Sequence, residues 1–192
     1  MTYVELITVL GIFSVLLGVS MYNHNKFQDK ISIKNLANDI ALQIVEAQKS
    51  ALSGKLQATP FTPKPSYGVY FNPNAPGNNR SFIYFADFNN DGTYNDTVSP
   101  FCGTISGECL KKITLNRGNI ISNLEYYYAL TGPNPLANLT VTFMRPSSEA
   151  SLRSTTPPTP GYTISHAQIT VTSASGITAN IKVYPTGRIQ IN

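Results

Sequence analysis

The stretch MTYVELITVLGIFSVLLGVSMY, residues 1–22, decides the fold. Glu5 is its one side chain charged at neutral pH, and no charge occurs from Leu6 to Tyr22. An uncharged run of that length is about what a helix needs to cross a bilayer core. A lone carboxylate in the middle of a membrane costs roughly 2.5–3.5 kcal/mol. Glu5 therefore marks a function and needs a partner, unless it lies at the interface of an ordinary signal-anchor helix. A cleavable secretory signal fits less well, because no basic region precedes the run and no small-residue cleavage site follows it. Lys26, Lys30 and Lys34 come after the run, and the positive-inside rule would leave the rest of the chain in the cytoplasm. Composition points instead to export. The two agree if a short basic leader once preceded Met1 and was removed.

The helical pattern continues past the apolar run. Ile33, Leu36, Ile40, Ile44, Ala47 and Ala51 recur three or four residues apart, with Lys34, Asn38, Asp39, Glu46 and Lys49 between them. That spacing makes an amphipathic helix with one face on a core. No proline appears before Pro60, and Gly54 is a C-terminal stop with Lys49 and Lys55 near the negative end of the dipole. Residues 1–54 thus form one helical unit: 1–22 for membrane or filament core, 23–54 for the sheet. A helix over 2–53 is roughly 75–80 Å long at 1.5 Å per residue. No single-domain core is that long, so its first half protrudes.

Residues 55–192 read as a β-rich globular domain, making the fold class α+β with the helix packed on an antiparallel sheet. LQATPFTPKPS (56–66) is a proline-punctuated connector. Strands are expected at 66–71, 81–88, 111–115, 124–130 and 138–144, each rich in aromatic and β-branched residues. Tyr126, Tyr127 and Tyr128 must alternate faces, so at least one is exposed. SSEASLRSTTPPTPG (147–161) is a low-complexity loop. The chain ends with strand segments at 162–172 and 179–191, the first with no clear inner face.

Charged residues make up 12% of the chain and the net charge is +4, too scattered to argue nucleic-acid binding. Asn, Thr, Ser, Gly and Pro are abundant, as in extracellular β modules. The two cysteines, Cys102 and Cys109 in CGTISGEC, suit a local disulfide. Such a bridge contributes roughly 2–3 kcal/mol and implies an oxidising compartment. A metal site would need more thiols or a nearby histidine. No His-anchored nucleophile, phosphate loop or complete metal set is present, so an enzyme is not expected.

DFNNDGTYND (87–96) reads in two ways. Asp87, Asn89 and Asp91 alternate before Gly92, as in the first half of a calcium loop, and the Thr93 carbonyl follows. Val98 stands where the closing glutamate belongs, so Asp96 would have to substitute. The plainer alternative, which the composition favours, is an Asx-turn loop whose side chains bond backbone amides.

M-T-Y-V-E-L-I-T-V-L-G-I resembles the mature N-terminus of the type IV pilin superfamily, which includes the pseudopilins of type II secretion. Met1, Thr2 and Glu5 match that pattern, and Met in first place resembles the type IVb variant. Phe143–Pro146 as F-x-R-P, the I-T-V-T of 169–172 and V-Y-P-T-G-R-I-x-I at 183–191 are similar to H-type pseudopilins and related minor pilins. In that family this region is a β domain on the second half of the helix. The insertion at 147–161 is longer than the family pattern, and the proline often found near position 22 is absent.

The resemblance implies a structural subunit that polymerises with identical copies into a helical extracellular filament. It implies inner-membrane anchorage before assembly, a prepilin peptidase and an assembly machinery as partners, and no cofactor. Glu5 would pair with the N-terminal amine of a neighbour's Met1, while Gly11 and Gly18 let the helix loosen. Two other expectations are a minor or tip pseudopilin priming assembly or secretion, and a DNA-uptake pilin using Lys182 and Arg188 on phosphates. The major-subunit reading expects no nucleic acid.

Overall fold

The computed structural model describes residues 2–54, 65–75, 77–95, 102, 107–129 and 132–192, and within the helix the side chains of 20–26 lie outside the description. The fold is α+β: helix α1 (Tyr3–Ser53) accompanies two five-stranded antiparallel sheets. The first sheet holds β1 (Ser66–Phe71), β2 (Ser81–Asp87), β3 (Cys109–Thr114), β6 (Leu139–Phe143) and β7 (Ala150–Arg153), in the order β3-β2-β1-β6-β7. The second holds β4 (Ile120–Tyr128), β5 (Asn134–Pro135), β8 (Ile164–Thr172), β9 (Thr178–Val183) and β10 (Ile189–Ile191), ordered β10-β9-β8-β4-β5.

The core follows from period. In the second half of α1, Ile33, Ala37, Ile40, Ile44, Ala47 and Ala51 are buried, steps of four and three that keep one stripe on the sheets. Leu36, expected in that stripe, is half-buried, and the small Ala37 takes the inner place. Strands answer with period two: Tyr67, Val69 and Phe71 from β1, Phe82, Tyr84 and Ala86 from β2, Ile169 and Val171 from β8, Ile181 and Val183 from β9. Tyr84 also donates its hydroxyl to Ser50 Oγ on the helix at 3.0 Å. Gly54, left-handed at φ 60°, ends α1, with its N–H on the Ala51 carbonyl.

Four expectations change, and the first is the single sheet, because the strands divide into two sheets, each pairing segments distant in sequence. The segment 147–161 is not all loop, because Ala150–Arg153 forms β7, pairing with β6 from Thr140↔Arg153 to Phe143↔Ala150. Backbone pairing at a free sheet edge, with Ala150 buried, outweighs the polar composition. Strand β4 starts at Ile120 rather than 124, and residues 179–191 split into β9 and β10 around a turn in which Gly187 N–H bonds the Tyr184 carbonyl. The ambiguous 162–172 strand turns Ala167, Ile169 and Val171 to the core and His166, Gln168 and Thr170 to the other face, where Gln168 is buried against Glu125 and Tyr127. Tyr126 and Tyr128 are buried, and Tyr127 is half-buried on the opposite face.

Candidate functional site: an uncovered apolar helix head

Every side chain from Thr2 to Val19 is exposed, including Val4, Leu6, Ile7, Leu10, Phe13, Val15 and Leu16. An apolar surface of this extent on one chain marks an interaction site rather than an ordinary surface. Among the described residues no helix is long and apolar enough to cross a membrane. The helical stretch with described side chains here, 3–19, covers about 25 Å at 1.5 Å per residue, against a hydrocarbon core of about 30 Å.

The head of the helix is built locally. Thr2-Tyr3-Val4-Glu5 has the S/T-x-x-E form of a capping box, and Thr2 N–H donates to Glu5 Oε2 at 3.4 Å. Thr2 is extended, at φ −84° and ψ 151°, and its carbonyl accepts the N–H groups of Glu5 and Leu6. Glu5 also places its charge in the first turn, where the helix dipole favours it. This local role of Glu5 is legible in the same four residues, whose spacing is that of a capping box. Met1 lies outside the described residues. Thr8 Oγ1 and Ser14 Oγ turn back to carbonyls one turn earlier, so these two hydroxyls are satisfied within the helix. At Gly11 and Gly18 the helix surface is open, with nothing within 4 Å of where a Cβ would stand.

The other named residues gather on the outer face of the first sheet. Cys102 and Cys109 form a disulfide with Cα atoms 4.6 Å apart. Asp87 ends β2, fully buried, and its Oδ2 accepts the Gly92 N–H at 2.8 Å. Asp91 Oδ1 accepts the Thr93 N–H and hydroxyl, both at 2.7 Å, while Asp91 Oδ2 takes the side-chain amides of Asn89 and Asn95. Asn89 Oδ1 takes the Asp91 N–H at 3.1 Å. These are the amide bonds of an Asx loop. Asp96 lies outside the described residues. Thr93 contributes its hydroxyl and N–H to Asp91.

Glu108 is the residue of this cluster that sequence spacing did not reveal. It is buried, comes from just before β3, and its Oε2 accepts the Asn95 N–H at 2.8 Å. Burial, opposed by the Asn95 amide and reinforced by the charges of Asp87 and Asp91, pushes its carboxyl up to about 7. Burial likewise raises Asp87, against the pull of the Gly92 amide. The hydrogen bonds to Thr93, Asn89 and Asn95 outweigh partial burial and lower Asp91. Among the described residues no three His, Cys, Asp or Glu side chains converge as a ready metal cage.

On the outer face of the second sheet, rings from β4, from β8 and from the turn after β9 stand in a row. Tyr127 and His166 stack with centroids 4.7 Å apart, His166 lies 5.3 Å from Tyr184, and the Arg188 guanidinium covers the Tyr184 ring at 3.9 Å. Arg188 is thus engaged in a cation–π contact. Comparison with protein-family models, with curated proteins and with solved structures finds no match to this chain.

Proposed function

We propose that this chain is the structural subunit of a type IV pilus-like filament. Residues 1–22 hold it in the inner membrane, and assembly moves them into a core of identical helices. The uncovered apolar surface from Thr2 to Val19 carries this reading, because it lies on the same helix whose second half is buried in the domain. Burying it among like helices removes apolar area at about 25 cal/mol per Å². Membrane and filament core are both apolar, so the net gain is far smaller, and a machine must drive the transfer.

Glu5 sets the register. Its partner in the free subunit is the Thr2 N–H of its own chain. In the filament the carboxylate turns to the N-terminal amine of a neighbour's Met1, since an unpaired charge in an apolar core is strongly disfavoured. The donated surface is the helix head and the receiving surface lies elsewhere on the subunit, so the contact is heterologous. Contacts of that kind propagate into open helical polymers. Ile31 and Leu42, exposed on the domain half of α1 beside a groove of about 610 Å³ that runs to β3, supply apolar receiving surface. The disulfide suits an exported domain at the cell surface.

Cryo-electron microscopy of sheared surface filaments tests this. The chain should occupy every position of the helical lattice, with Glu5 within salt-bridge reach of a neighbouring Met1 amine. A lattice built from another pilin, with this chain confined to the tip or absent, would replace the reading with that of a priming pseudopilin.

A further inference from the structure

The loop over the first sheet holds an unmet need that the filament reading does not use. Asp87 is 0% exposed, and its Oδ1 is buried without a hydrogen-bond partner. A buried carboxylate oxygen left without hydrogen, cation or water costs more than almost any other unsatisfied group. The other oxygen of the same carboxylate is bound to Gly92 N–H at the centre of the loop, which places the carboxylate inside it. Asp91 adds its negative charge to Asp87, and both add theirs to Glu108, while the Arg153 side chain lies beside Gly92 at the turn.

The geometry points to a divalent-cation site of calcium type, with Asp87 Oδ1 and the Glu108 carboxylate as its charged ligands. Loop carbonyl oxygens and water complete the shell. Two observations place Glu108 in the role for which the loop itself has no residue. The twelfth loop position is Val98, which has no ligand atom. Glu108 Oε2 meets the N–H of Asn95, the ninth position, and the Asn95 side chain in turn binds Asp91. The closing carboxylate therefore comes from the strand β3 side of the disulfide rather than from the loop, and Asp96 is not needed for it.

Asp91 has a different task. Both of its oxygens are engaged by Thr93, Asn89 and Asn95, so it shapes the loop and does not bind the ion. Hard oxygen donors, two carboxylates and no thiolate or imidazole select Ca²⁺ over transition metals. Gly92 is required at the turn, since it is left-handed at φ 76° and a Cβ there would stand 2.9 Å from Arg153 Nε. None of this depends on whether the subunit forms filaments.

The test uses the full chain in detergent micelles with Tb³⁺ as probe. The protein contains no tryptophan, and Tyr94 within the loop is the nearest sensitiser in sequence. Terbium luminescence should saturate at one ion per chain and be displaced by Ca²⁺, and Ca²⁺ should raise the melting temperature measured in chelator. D87N and E108Q should each weaken Ca²⁺ binding about tenfold or more while melting in chelator no lower than the parent. Tyr94→Phe should dim the luminescence without changing the Ca²⁺ midpoint. The proposal is overturned if no ion binds, or if D87N and E108Q bind as the parent does. It is also overturned if melting is indifferent to Ca²⁺, which leaves an Asx loop with a protonated acid. Should either variant fail to fold, Asp87→Ser, which removes the charge and keeps a small polar group, decides in the same assay.

Discussion

At the scale of single residues, Gly68 in β1 shows how tightly the neighbouring strands β2 and β6 close over one face of the first sheet. A Cβ there would lie 2.6 Å from the Val141 carbonyl oxygen, 2.7 Å from Thr142 Cγ2 and 2.8 Å from Phe85 Cε1. Gly68→Ala should therefore destabilise the domain by about 1–3 kcal/mol, as overpacking does, read from urea midpoints. His166 makes a second residue-level case. Burial, and then the charge of Lys182, lower its pKa, while Tyr127 and Tyr184 flank the ring and Ser165 faces Nδ1. The unfolded chain thus binds this proton more readily than the folded one, so the imidazole's contribution to stability falls as pH drops through about 6.5. Glu108 slopes the opposite way, because its raised carboxyl keeps a proton in the folded state that the unfolded chain releases. The difference in unfolding free energy between parent and His166→Asn isolates the histidine, and it should grow from pH 5.5 to 7.5. A flat difference would mean the ring is solvated in the native state.

At the scale of elements, α1 carries two kinds of apolar residue that a hydropathy count cannot tell apart. Ile40 is fully buried against the sheets, whereas Leu42, two positions on, is 62% exposed. Two residues along a helix is about 200° of rotation, enough to turn from core to solvent. Ile40→Ala should cost about 2–5 kcal/mol. Leu42→Ala should change the stability of the free subunit by no more than about 0.5 kcal/mol, yet reduce filament yield if the receiving surface is where we place it. Calorimetry of the two variants, with filament counts beside it, separates docking of the helix to its own domain from docking between copies. β7 teaches the complementary lesson. Its sequence is polar and interrupted, and it becomes a strand because β6 offers an unpaired edge.

At the scale of the whole molecule, the domain has a buried core of its own while the head of α1 keeps its apolar side chains exposed. Glu5→Ala removes both the local cap and the proposed partner of Met1. Loss of a cap costs the helix about 0.5–2 kcal/mol, so the variant should still fold and enter membranes with near-parent melting of its β domain. It should nevertheless fail to enter filaments when co-expressed with the parent. Incorporation at parental levels would remove Glu5 from the assembly mechanism and leave it as a helix cap alone.

By itself the sequence determined the α+β class, the helix with its Gly54 stop, the approximate places of most strands and the Cys102–Cys109 bridge. Each rests on local chemistry: apolar period, a left-handed glycine, β-branched and aromatic runs, two cysteines and no third. It also displayed Thr2 and Glu5, whose spacing of three is that of a capping box. Only the tertiary structure decided that there are two sheets rather than one, that β7 exists, and which way 162–172 faces. It also brought Glu108, next to Cys109, against Asn95 of the Asp87 loop. These depend on which edges are left unpaired and on which segments, distant in sequence, share a buried volume. No periodicity within a single segment records that information.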